Sequence, residues 1–63
     1  MIGNRLKRAR EALGLSLREL EAAIHGQVSA QPLGKYQRDE IMPSPTVLLA
    51  MANALRVAPE FLL

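Results

Sequence analysis

The stretch SLRELEAAIHGQVSAQPLGKYQRD, residues 16–39, decides the fold. Ser16 can cap a helix, and Glu19 three residues later completes a capping box. In that arrangement each residue satisfies a backbone N–H that the helix start leaves without a partner. Leu17, Leu20 and Ile24 recur at helical spacing and give this helix an apolar side. It is expected to end near His25-Gly26. Ser29 can cap the next helix, although no Glu or Gln follows three residues on. Pro32 falls in the first turn, where a missing N–H costs no intrahelical bond. Leu33 and Tyr36 define the inward side, and the helix should stop around Arg38 or Asp39. Two short helices therefore follow one another, joined by the brief connection His25–Val28 with Gly26 inside it.

Outward from this pair, helical periodicity continues in both directions. Ile2, Leu6, Ala9 and Leu13 step by four, three and four residues, one stripe of a helix, and Gly14 supplies a left-handed stop. Met42-Pro43-Ser44-Pro45 is a second break, with Ser44 as cap and Pro45 at the first helical position. Val47, Leu48, Met51, Ala54 and Leu55 then mark a fourth amphipathic helix. Val57-Ala58-Pro59 ends it, and Pro59-Glu60-Phe61-Leu62 begins a short fifth. No segment alternates as a strand would. The prediction is an all-α fold, a compact bundle of five short helices forming one domain over residues 1–63. Helices two and three, joined by a short Gly-bearing turn, make a helix-turn-helix. Its first helix covers the inner face of the second and leaves the outer face free to enter a major groove.

Composition narrows the function. The 63 residues contain no Cys, no Trp and one His, which excludes disulfides, thiol nucleophiles and multi-His metal centres. Neither a cofactor nor a metal is expected. The longest apolar run, Val47–Ala52, is far below the ~20 residues of a membrane-spanning helix, and no secretory signal opens the chain. These features predict a cytoplasmic protein. No nucleophile–base pair is evident, so no enzyme is expected. The net charge of +2 is a weak indication of partner, but its distribution is uneven. Arg5, Lys7, Arg8, Arg10 and Arg18 face only Glu11 in the first eighteen residues. Such a block attracts polyanions or simply solvates a helix face.

The ordered set of residues resembles a known family. Arg5-Leu6-Lys7-Arg8-Ala9-Arg10, Leu13-Gly14-Leu15-Ser16 and Arg18-Glu19-Leu20 look like the opening of the lambda-repressor/Cro-type (XRE) family. Val28-Ser29, Leu33, Tyr36, Arg38 and Pro43-Ser44 resemble its recognition helix and following loop, and Leu48–Leu55, Val57 and Phe61-Leu62 its closing helices. The resemblance implies sequence-specific DNA binding, usually as a two-fold dimer, and usually repression of transcription. Four positions depart from the pattern. Leu17 replaces a Gln that commonly opens helix two. Glu21 stands where a small Ala is usual and is expected to angle to solvent. The turn through His25-Gly26-Gln27 runs about two residues longer than usual. Gln37 replaces the Glu that often pairs with the Arg at position 10. Either Asp39 or Glu40 takes over that pairing, or Arg10 is more exposed than in relatives, because a lone buried guanidinium is costly.

The outer face of helix three is expected to read bases. Gln31 can bond adenine bidentately, Lys35 can reach a guanine edge or a phosphate, and the small Ala30 and Gly34 allow close approach, with Ala30 able to meet a thymine methyl. Ser16, Arg18, Gln27, Ser29 and Arg38 are candidates for phosphate contact, with the N-termini of helices two and three offering free N–H groups. Lys35 and Arg38 also suit a solvated helix end, where cations favour the C-terminal dipole. Tyr36, Met42 and Met51 are expected to pack, and His25 to sit exposed in the turn. The expected partner is double-stranded DNA bound by a homodimer, its half-sites about 34 Å apart. The expected dimer surface is Val57, Phe61, Leu62 and Leu63. This apolar end also suggests the N-terminal part of a longer protein. The alternative is a protein-interaction or antitoxin-type module of the same fold. A membrane-surface role for helix one is disfavoured, since its apolar stripe is needed in the core.

Overall fold

A computed structural model describes residues 2–63. Among these residues there are five α-helices: α1 Ile2–Ala12, α2 Leu17–Ala23, α3 Ala30–Gln37, α4 Pro45–Leu55 and α5 Pro59–Leu62. Among the described residues there is no strand.

The boundaries follow from local chemistry. At α2 the Ser16 hydroxyl accepts the Glu19 N–H at 3.0 Å, and the Glu19 carboxylate accepts the Ser16 N–H at 2.7 Å. The predicted capping box is therefore formed. At α4 the Ser44 hydroxyl accepts the Val47 N–H at 3.3 Å, with Pro45 in the first turn. The first four helices end around a left-handed residue: Gly14, His25, Asp39 and Arg56. In all four the two N–H groups around that residue turn back onto the last carbonyls, as Gly14 does to Glu11 and Leu15 to Arg10. The α2–α3 turn is long because two consecutive residues, His25 and Gly26, have positive φ, 59° and 71°.

One core joins all five helices. Ile2, Leu6 and Ala9 come from α1, and Leu20 with Ile24 from α2 and its end. Leu33 and Tyr36 come from α3, Met51, Ala52 and Leu55 from α4, and Leu62 from α5. Leu6, Leu20, Leu33, Met51 and Leu62 are fully buried. Tyr36 and Met51 pack as expected. Leu62 does not belong to a dimer surface, because it is the anchor that α5 drives into the core. Two apolar expectations fail in the other direction. Leu13 lies past the end of α1 and is 42% exposed, and Met42, in the extended segment before Ser44, is 62% exposed.

Two polar ties hold α1 to the end of α3. Asp39 accepts the Gly3 N–H at 2.9 Å, so a side chain from after α3 caps the start of α1. A Cβ at Gly3 would collide with the Gln37 carbonyl, which explains the glycine in a helical first turn. Arg10 is buried to 13% side-chain exposure, and neither Asp39 nor Glu40 pairs with it. Its Nε donates to Gln37 Oε1 at 3.1 Å and its Nη1 to the Leu15 carbonyl at 2.6 Å. Glu11 approaches to 3.9 Å from the exposed side. Two neutral acceptors and one marginal carboxylate thus hold the guanidinium where a carboxylate partner was expected.

Candidate nucleic-acid interface

The segment α2–turn–α3 forms the site. Helix α3 is packed on its inner side by α1 and α2, through Leu33 and Tyr36. Its eight residues include Gly34, a type unfavourable in a helix interior, and Pro32, which the first turn tolerates but which brings no N–H for a serine to cap. Packing and capping from outside must therefore supply what local propensity does not.

The start of α3 departs from the other serine-capped starts. Ser29 has the extended geometry of an N-cap, with φ −75° and ψ 170°, yet its side chain makes no cap bond. The reason is steric and chemical: the third helical position, whose N–H a serine cap would accept at α2 and α4, is Pro32, which has none. The Ala30 N–H is instead donated to Glu21 Oε1 at 2.9 Å, across nine residues of chain. Glu21 is half-buried against the start of α3 and does not angle to solvent. Glu21 thus spans the turn from α2 to the first residue of α3. The expected free N–H at the start of α3 is occupied at Ala30.

The predicted base-contacting residues divide. Gln31 is exposed at the second helical position, with Ala30 and Lys35 half-buried beside it. Gly34 does not share the open face. It is buried, with Leu17 on one side and the Arg38 guanidinium folded over it; a Cβ there would lie 3.2 Å from Arg38 Nη1. Ser16, Arg18, Gln27, Ser29 and Arg38 are all exposed, and His25 is exposed in the turn. Arg38 is engaged: its Nε donates to Glu40 Oε2 at 2.7 Å. The hydrogen bond and the adjacent charge raise the Arg38 pKa, and the same hydrogen bond lowers that of Glu40. Arg18 has no ion-pair partner among the described residues.

Around this face Arg18, Lys35 and Arg38 stand against Glu19, Glu21 and Glu40, three cations to three carboxylates. Helix α1 holds more of the excess charge, but part of it is committed to the fold. Arg10 is fixed as described. Arg5 lies over the Phe61 ring, 5.8 Å from its centroid, and donates to the Phe61 carbonyl at 3.1 Å. Lys7 and Arg8 remain exposed. Sequence reasoning missed Glu21 and Glu40. Pro32 was the available signal for Glu21, because a serine cap followed by proline at the third helical position must take its acceptor from elsewhere.

A second surface lies between the end of α1 and α5. A groove of about 370 Å³ is lined by Arg8, Ala12, Leu13, Leu55, Val57 and Phe61. Leu13, Phe61 and Leu63 are exposed there or nearby in the chain, while Val57 is half-buried.

An α2–turn–α3 pair with an exposed second helix, closed by three further helices on one core, defines a helix-turn-helix domain of the lambda-repressor/Cro type. The chain belongs to the helix-turn-helix family, whose model matches residues 6–62. Its structure is similar to that of the P22 c2 repressor in complex with a synthetic operator, solved in the presence of Tl+. The TM-score is 0.91 at 28% identity, covering 100% of this chain and 92% of that one. No curated protein matches.

Proposed function

We propose that this protein is a sequence-specific double-stranded DNA-binding repressor that presents the outer face of α3 to the major groove. The observation that carries this reading is the two-sided character of α3: Leu33 and Tyr36 buried, Gln31 exposed, Lys35 beside it. The similar repressor is described in complex with a synthetic operator, which supports DNA binding by this fold. Gln31 reads a base through its amide, Lys35 reaches a guanine edge or a phosphate, and Ala30 admits close approach. Ser16, Arg18, Gln27, Ser29 and, once released from Glu40, Arg38 hold the backbone. The role is binding in the cytoplasm, with no catalytic step. A homodimer joins two half-sites through the exposed Phe61 and Leu63 beside Val57, with Leu62 kept in the core.

Selection of bound duplexes from a random DNA pool tests this directly. The expected result is an enriched site with two-fold symmetry, bound more weakly as salt rises because phosphate contacts release counterions. A pool that remains random after repeated selection, or binding indifferent to salt, overturns the reading.

A further inference from the structure

We propose that Glu21 is a positioning residue for the recognition helix, supplying from α2 the N-terminal cap that Ser29 cannot make. The inference rests on the DNA-reading role of α3. Three helices follow a serine in extended geometry, yet only two of those serines cap through their own hydroxyl, Ser16 and Ser44. At the third, Pro32 removes the N–H that the hydroxyl would accept. Glu21 Oε1 takes the Ala30 N–H at 2.9 Å instead. This bond ties the first residue of α3 to the middle of α2, across a turn with two left-handed residues in succession. It therefore fixes the distance between the two helices at the end of α3 that holds Gln31.

Two consequences follow for recognition. The carboxylate sits at the positive end of the α3 dipole, so a DNA phosphate finds the Ala30 N–H occupied and a negative charge beside it. The Ser29 hydroxyl, exposed and free of capping, is left to donate to a phosphate. Glu21 thus shifts backbone contact from the amide end of α3 to the Ser29 side chain, and it disfavours loosely docked complexes by charge.

The test compares the dissociation constants for the selected site and for a random duplex of equal length, at one salt concentration. Glu21→Ala removes both acceptor and charge. Glu21→Gln keeps a carbonyl acceptor for the Ala30 N–H and removes the charge alone. Glu21→Ala should lower the selected-to-random ratio about tenfold, an amount in line with loss of a helix cap. Glu21→Gln should hold the ratio within about threefold of wild type while binding both duplexes more tightly, as expected when a carboxylate is removed beside phosphates. Adding Pro32→Ala to Glu21→Ala returns an N–H to the third helical position and lets Ser29 cap. That double variant should recover most of the ratio, and it keeps the test open if Glu21→Ala alone folds poorly. An unchanged ratio in Glu21→Ala overturns the positioning role and leaves the DNA reading intact. Equal loss in Glu21→Gln and Glu21→Ala also overturns it, as does a double variant that folds without recovering the ratio. A wild-type protein that prefers no duplex at all overturns the DNA reading, and the positioning role with it.

Discussion

Helices α2 and α3 both follow a serine, and they are held in place differently. α2 carries its own start: Ser16 and Glu19 close a box within four residues, and the following residues favour a helix. α3 contains a proline and a glycine, receives its cap from Glu21, and is anchored by Leu33 and Tyr36 against other helices. A helix that stands on tertiary ties can present a surface chosen for recognition, because its outward residues are not needed to make it helical. Gln31, exposed, and Lys35 beside it belong to that outward side, whereas Gly34 is buried.

The largest expected effect lies at the buried anchor of α3. Leu33→Ala should destabilise the protein by about 2–5 kcal/mol in chemical denaturation, the cost of a deleted core leucine. For a chain of this length that is a large part of the total stability. A loss below about 1 kcal/mol would mean that α3 is held by something other than its buried side.

A smaller effect separates the two serines. Ser16→Ala should cost about 1 kcal/mol as a lost cap, whereas Ser29→Ala should lie within about 0.5 kcal/mol of wild type, as an exposed residue without a capping role does. The Ser16–Glu19 box also carries a pH signature. The Ser16 backbone N–H, and then its hydroxyl, hold the exposed Glu19 carboxyl below its ordinary 4.5. A depressed folded-state pKa contributes stability above the unfolded value, and that contribution is lost as pH falls from about 4.5 through the lower folded value. Thermal melts across this window should show a smaller acid loss in Ser16→Ala than in wild type. Equal penalties for the two serines would remove the distinction between the helix starts.

The smallest effect is a gain. Gly34 has an ordinary helical backbone, and the nearest obstacle to a Cβ is the far end of the long Arg38 side chain, 3.2 Å away. Gly34→Ala should therefore raise stability by about 0.5–1 kcal/mol, seen as a higher melting temperature. A loss would show that Leu17, 3.6 Å from the Cβ position, cannot accommodate a methyl group.

Much of the fold was legible because its signals are local. Ser16 with Glu19, Gly14, Ser44 with Pro45, and the Leu20, Ile24, Leu33 and Tyr36 spacing all act within one or two turns of chain. Where the reading failed, the deciding contact was distant in sequence. Glu21 meets Ala30 nine residues away, and Asp39 meets Gly3 thirty-six residues away. Arg10 meets Gln37 across twenty-seven. Periodicity reports which side of a helix is apolar, but not which polar side chain fills a vacancy at another helix's end. Leu62 shows the same limit for apolar residues: beside exposed Phe61 and Leu63, only packing reveals that it alone turns inward. Gly34 failed for a local reason: Arg38, one turn further on and held by Glu40, folds over it. Gln31, Arg18 and Ser29 were legible as exposed because nothing packs on them.

The most direct measurement is the affinity of the Gln31→Ala, Lys35→Ala double variant for the selected duplex, with its melting temperature checked against wild type. Loss of a bidentate base contact and a groove-facing cation should weaken specific binding about tenfold or more, with binding to random duplex changed far less and the melting temperature close to wild type. Wild-type affinity for the selected duplex in a folded double variant would contradict the assignment of α3's outer face as the surface that reads DNA.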